Sequence, residues 1–213
     1  MSMFKNFVSA RFTAAVVCLP LAMGVAAPVF AQSAKAEPVR VRGAIVAYTG
    51  QGLTVKTREG QTVTIALAEG VMVSGVAAAS ISDIKSGDYV GIASLPTKDG
   101  GDGALEVLIF PPALKGAGEG SFGYDLKPNS SMTNGSVANA VKGVNGQTVT
   151  VTYHGQEKKI AIPEGTPVVT LAPATTADLK PGAIVFVPGE KGADGAIATQ
   201  RVVVGTNGVV PPM

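Results

Sequence analysis

The hexapeptide Ser82-Asp83-Ile84-Lys85-Ser86-Gly87 recurs 95 positions later as Ala177-Asp178-Leu179-Lys180-Pro181-Gly182. Each copy is preceded at the same distance by Glu-Gly (Glu69-Gly70 and Glu164-Gly165) and followed by an apolar run, residues 89–95 and 183–187. The chain therefore reads as one structural unit spelled twice, and whatever it folds into must satisfy both copies.

The elements within a copy are strands. Apolar side chains fall at Leu53, Val55, Val63, Ile65 and Leu67, while Thr54, Lys56, Thr62 and Thr64 alternate with them. That period of two turns one face to a core and the other to water. Turn chemistry separates the strands: Gly50-Gln51-Gly52 and Glu59-Gly60 in the first copy, Asn145-Gly146 and His154-Gly155 in the second, the Asn-Gly pair being a strong two-residue hairpin signal. Residues 71–76 read as a separate fourth strand. Residues 77–81 read as one or two helical turns that Ser80 or Ser82 caps. Six short strands with one small helix per copy predict an all-β protein of small closed or partly closed barrels. The expected division is a first barrel at 38–110, a linker at 111–135, a second barrel at 136–205 and a tail at 206–213.

Residues 1–31 read as a secretory signal, with Lys5 and Arg11 in front of an apolar segment and Val29-Phe30-Ala31 closing it, so that cleavage is expected between Ala31 and Gln32. Pro20, Gly24 and Pro28 interrupt the roughly 20 apolar residues that a retained anchor needs. Without this leader the chain holds fifteen basic and fifteen acidic residues and no cysteine, since Cys18 goes with the signal. A neutral chain without a basic face argues against nucleic acid as a partner. The lack of thiols excludes cysteine nucleophiles, thiolate metal sites and thiol redox chemistry. The address expected is the periplasm, with no membrane span in the mature chain.

Val-Arg-Gly-x-Ile-Val-Ala at 41–47, Asp-Ile-Lys-x-Gly-Asp-x-Val at 83–90, Leu-Glu-Val-x-Ile-Phe-Pro at 105–111 and Met-Thr-Asn at 132–134 resemble the exported bacterial proteins of the domain-of-unknown-function family 5666. The resemblance spans about residues 38–213. It implies a cleaved signal and a tandem pair of small oligonucleotide-binding-like (OB-like) β-barrels, and it brings no catalytic residues. Tyr124-Asp125-Leu126 stands where related chains have Trp-Asp-Leu after the linker glycines. The metal transporter permease label carried by many members conflicts with a chain whose one long apolar segment is the leader.

Chemistry-bearing motifs are sparse. Gly118-Glu119-Gly120-Ser121-Phe122-Gly123 fits the dinucleotide fingerprint, but Pro128 follows where a helix is required and Glu119 would repel a phosphate. Asp99-Gly100-Gly101-Asp102-Gly103 lacks the alternating ligands of a calcium loop. His154 has no neighbouring His or Cys and reads as a turn residue. No Gly-x-Ser-x-Gly elbow is present, and a single histidine leaves little choice of base for a serine nucleophile. The long, Gly-rich 111–135 stretch is the one place where function is expected. Glu119, Phe122, Tyr124, Asp125, Met132 and Asn134 are its candidates for binding a small ligand or an envelope protein. The alternative there is that Phe122, Tyr124 and Leu126 pack the two copies together. The reading is a non-catalytic binding or envelope-associated module without a cofactor. A metal-handling protein and a carbohydrate-acting hydrolase using Glu119 and Asp125 are the alternatives.

Overall fold

Twelve strands in the computed structural model pair into a single hydrogen-bonded network that curls back on itself. The structure describes residues 36–98 and 100–211. The leader with its cleavage position, Asp99 and the last two residues lie outside that range. In chain order the strands are β1 (Glu37–Tyr48), β2 (Gly52–Thr57), β3 (Thr62–Ala79), β4 (Tyr89–Pro96), β5 (Asp102–Ile109), β6 (Gly120–Tyr124), β7 (Ser130–Gly143), β8 (Gly146–Tyr153), β9 (Gln156–Pro163), β10 (Val168–Pro173), β11 (Ile184–Lys191) and β12 (Ile197–Gly205). Single 3-10 turns at Ile81–Asp83, Pro112–Leu114 and Thr176–Asp178 complete the elements. The protein is all-β, as the alternation of its side chains predicts.

A five-stranded barrel closes in the order β1-β2-β3-β12-β11. Antiparallel ladders join its neighbours, except that β12 runs parallel to β3 from Ile197↔Ile65 to Gly205↔Val76. Its interior holds Val41, Ile45, Leu53, Val55, Ile65, Leu67, Val185, Val187, Val202 and Val204, and Leu179 plugs one end. Strands β5, β4, β7, β8 and β9 follow one another in the same way, and β5 meets β9 through the parallel pairs Asp102↔Ile160 and Gly103↔Ala161. They surround Ile92, Val107, Val137, Val149, Val151, Ile160 and Ile162, with Ile84 as the plug. Between the two circuits β3 pairs with β10, and a third apolar cluster of Val76, Leu108, Val169, Phe186 and Val203 fills the seam.

These pairings correct the expected division of the chain. Strands of 38–110 do not close on themselves, because β1–β3 take β11 and β12 as partners while β4 and β5 join β7–β9. Both plugs obey the same exchange. The physical reason lies in β3, which continues through 71–76 and Ala77–Ala79 as one long strand instead of turning into a separate strand and a helix. It delivers the chain to the far side of the seam, so the hairpin that follows reaches the other circuit. The helical turn comes later, at Ile81–Asp83, where Ser80 N–H donates to Asp83 Oδ2 at 2.8 Å; Thr175 and Asp178 repeat that contact at 2.8 Å. Nor is 111–135 a bare linker, since β6 and the start of β7 lie within it.

A chain cut between residues 110 and 111 tests this exchange. Pieces 36–110 and 111–211 each lack the hairpin that closes their circuit, so each alone should give a disordered amide spectrum, and mixing them should restore the native one. Independent folding of 36–110 would contradict the exchanged pairing.

Candidate functional site

The candidate residues sit on the β6–β7 hairpin: Glu119 just before β6, Phe122 and Tyr124 on β6, Asp125 in the turn, and Met132 and Asn134 on β7. Gly120↔Asn134 through Tyr124↔Ser130 align the hairpin. Its turn is held by Ser130, whose hydroxyl accepts from Lys127 N–H at 3.1 Å and donates to the Tyr124 carbonyl at 2.8 Å, with Asn129 at a positive φ of 64°. Small polar side chains with local hydrogen-bonding reach are what such a turn demands.

The turn presents Tyr124 and Asp125 to two arginines of β1. Arg42 Nη2 donates to Asp125 Oδ1 at 2.8 Å, and Arg40 Nη1 lies 3.8 Å from the same oxygen. Both guanidinium groups stack on the Tyr124 ring, at 5.0 Å for Arg40 and 5.3 Å for Arg42, and Arg42 also lies 5.1 Å from the Phe186 ring centre. The Arg42 side chain is only 9% exposed. Burial pulls its guanidinium downward, but the hydrogen bond it donates to Asp125 and the Tyr124 oxygen outweigh it and hold the group above its ordinary value. Burial likewise pushes the Asp125 carboxyl up, and Arg42 and Arg40 overcome it, leaving the carboxyl below the usual range. Tyr124 is raised, chiefly by burial. This arrangement is a charged and aromatic clasp, with Arg42 held between two rings and one carboxylate.

The other candidates scatter. Glu119 stands at the opposite end of β6, where its Oε1 accepts from His154 N–H at 2.8 Å. Six residues of extended chain separate Glu119 from Asp125, on the order of 20 Å, whereas the carboxyl pair of a glycosidase lies within about 10 Å. Each carboxylate is committed to a different partner. Asn134 Nδ2 donates to the Gly118 carbonyl at 2.9 Å and ties down the approach to β6. Met132 is 7% exposed and belongs to the packing, while Phe122 is 42% exposed and faces outward. Among the described residues no group of three or more His, Cys, Asp or Glu side chains gathers to hold a metal ion.

Sequence reasoning missed the partners of the clasp. Arg40 and Arg42 occupy alternate positions of Val-Arg-Val-Arg, which puts both on one face of β1, and that alternation was the available signal. Phe186 had none. A second polar group, also unforeseen, lies where β5 meets β9. Lys158 Nζ donates to Ser131 Oγ at 2.9 Å and pairs with Asp102 Oδ1 at 3.3 Å, and the Ser94 hydroxyl donates to that carboxylate at 3.3 Å. These contacts tie β9 to β7, β5 and β4 where the circuit closes.

Clefts open on the surface of the described residues. One of about 520 Å³ lies over β3 and β12, lined by Leu67, Met72, Pro188, Ala198, Thr199 and Arg201, and contains none of the candidates. One of about 250 Å³ lies beside the clasp, among Arg40, Val41, Arg42, Arg58, Glu59 and Asp125. The described residues include no helix long and apolar enough to cross a membrane. No protein-family model, curated protein or solved structure matches the chain.

Replacing Arg42 by Ala leaves Asp125 and the two rings without their shared partner, and the expected loss is about 3 kcal/mol in urea denaturation; Arg42→Lys, which keeps charge but not the planar fork, should recover part of it. The pH dependence has a definite sign. A depressed carboxyl contributes stability that is complete above the unfolded value near pH 4 and disappears as pH falls through the lower folded value. Stability of the natural chain should therefore drop faster below pH 4 than that of Asp125→Asn, the two curves converging in acid.

Proposed function

We propose that the chain is an exported, non-catalytic binding module of the envelope, made of two duplicated OB-like barrels that have exchanged their last hairpins. The observation that carries this reading is the use to which the clasp puts its residues. Tyr124 and Asp125 are spent on Arg40 and Arg42, and Glu119 on His154, so the side chains that might have done chemistry instead fasten the β6–β7 hairpin to both circuits. What the molecule then offers to others is a rigid surface with clefts and strand edges.

Register supports the duplication. The starts of β4 and β5 are followed 95 residues later by those of β11 and β12, and the two 3-10 turns keep the same offset. Shifting by 95 also turns Asp102↔Ile160 into Ile197↔Ile65, and Val107↔Val168 into Val202↔Val73. In the β3–β10 ladder, Val76 faces Leu171, its own counterpart, as a local two-fold axis requires. The motif resemblance supports the exported setting.

Thermal melting against peptides, peptidoglycan fragments, sugars, nucleotides and divalent metals tests the reading. A saturable rise of several degrees with a peptide or envelope fragment is expected, with no turnover of glycoside substrates. Stoichiometric metal in the purified protein, or glycan hydrolysis lost in Glu119→Gln, would replace it with one of the catalytic or metal-handling alternatives.

A further inference from the structure

We propose that the outer edge of β1, together with the cleft beside it, is a strand-addition site for an extended, carboxylate-bearing segment of a partner protein. The inference rests on the duplicated, exchanged reading given above, because it compares one circuit with the other at the 95-residue offset.

On the second circuit the start of β7 is paired on both sides, with β4 at Ser131–Ser136 and with β6 at Ser130–Asn134. The corresponding start of β1 is paired with β11 through Glu37↔Lys191 to Val41↔Val187. Among the described residues no strand pairs with residues 37–41 on the other side. A sheet edge of this kind presents N–H and C=O groups in the spacing that another strand needs.

The cleft marks the same berth from a second direction. As β6 begins, it passes the β8–β9 turn: Glu119 accepts from His154 N–H, and a Cβ at Gly120 would come into contact with the His154 ring. Counting back 95 residues, His154 becomes Glu59, Tyr153 becomes Arg58, Gln156 becomes Gln61, and Gly135 and Ser136 become Arg40 and Val41. Those five residues line the 250 Å³ cleft. The space that β6 fills on one circuit is thus an open cleft on the other.

Charge specifies the occupant. On the second circuit a carboxylate, that of Glu119, satisfies the turn amide. At the vacant berth the carboxylate of Glu59 folds back on Thr57 and on its own amide, contacts that hold it below its ordinary value. Arg58 stands exposed at the rim, and Arg40 and Arg42 line the floor beside their Asp125. Three arginines against two engaged carboxylates favour an incoming acidic residue followed by small or aromatic ones in extended form, the pattern that β6 itself has.

The test is an amide-resolved NMR titration of the labelled protein with a synthetic peptide, Gly-Glu-Gly-Ser-Phe-Gly-Tyr-Asp, which copies residues 118–125. Saturable shifts are expected at residues 37–41 and 58–61. Binding should weaken by up to about fivefold, the upper end of what one exposed ion pair supplies, when the peptide Glu is changed to Lys or when the protein carries Arg58→Glu. The charge-reversed peptide keeps the test valid if that variant is unstable. No shifts, shifts centred on His154 instead of Glu59, or binding indifferent to both charge reversals would overturn the site. The same spectra report cross-strand contacts between β3 and β12. If those are present and the peptide fails, strand addition alone is lost; if they are absent, the exchanged reading fails and this inference with it.

Discussion

Closure is the constraint from which the rest of this structure follows. A curled sheet of five strands keeps its core dry only if its first and last strands pair, and neither half of this chain brings its own closing strand to the place where it is needed. The long β3 carries the chain past the seam before it can turn, so the next hairpin lands against the opposite circuit. The parallel β3–β12 ladder then closes the first barrel, and β5–β9 makes the matching junction in the other circuit. Parallel neighbours need a long connection between them, and here that connection is the other half of the molecule. The two halves are thereby committed to each other, which a simple tandem pair joined by a tether would not be.

That commitment creates a buried seam. Val76, Leu108, Val169, Phe186 and Val203 exclude water from it, and Arg42 stands at its margin. A guanidinium taken this far out of water is tolerable because its charge meets Asp125 and its flat faces meet two aromatic rings. The β6–β7 hairpin is thus a brace, pinned at one end by Arg40 and Arg42 and at the other by the His154 amide. Tyr124 is the pivot of this arrangement.

The proposed role in recognition draws on the way the hairpin is fastened. Asp125 is held by Arg42 and Arg40 and Glu119 by the His154 amide, at opposite ends of β6. Among the described residues, features open to a partner include the Met72 cleft, the outward Phe122 and the start of β1, which no described strand pairs on its outer side. Seen through the proposed duplication, the third corresponds to the place that β6 fills on the other circuit.

The residues by themselves determined the strand character, most turns and the all-β class, since alternation and turn chemistry act over two to six neighbours. His154-Gly155 forms the two-residue turn expected of it, the β7–β8 turn falls at Val144-Asn145, one residue ahead of the expected Asn-Gly pair, and Ser80 with Asp83 and Thr175 with Asp178 cap their 3-10 turns by the same local contact. Which strand pairs with which was decided only in three dimensions. Nothing local distinguishes a hairpin that folds back on its own half from one that crosses to the other, because both satisfy the same period of two; the unbroken run of β3 settles the choice by its length. The clasp was half legible for the same reason: Val-Arg-Val-Arg announces two arginines on one face, but that Tyr124, Asp125 and Phe186 await them depends on contacts between residues more than 80 positions apart.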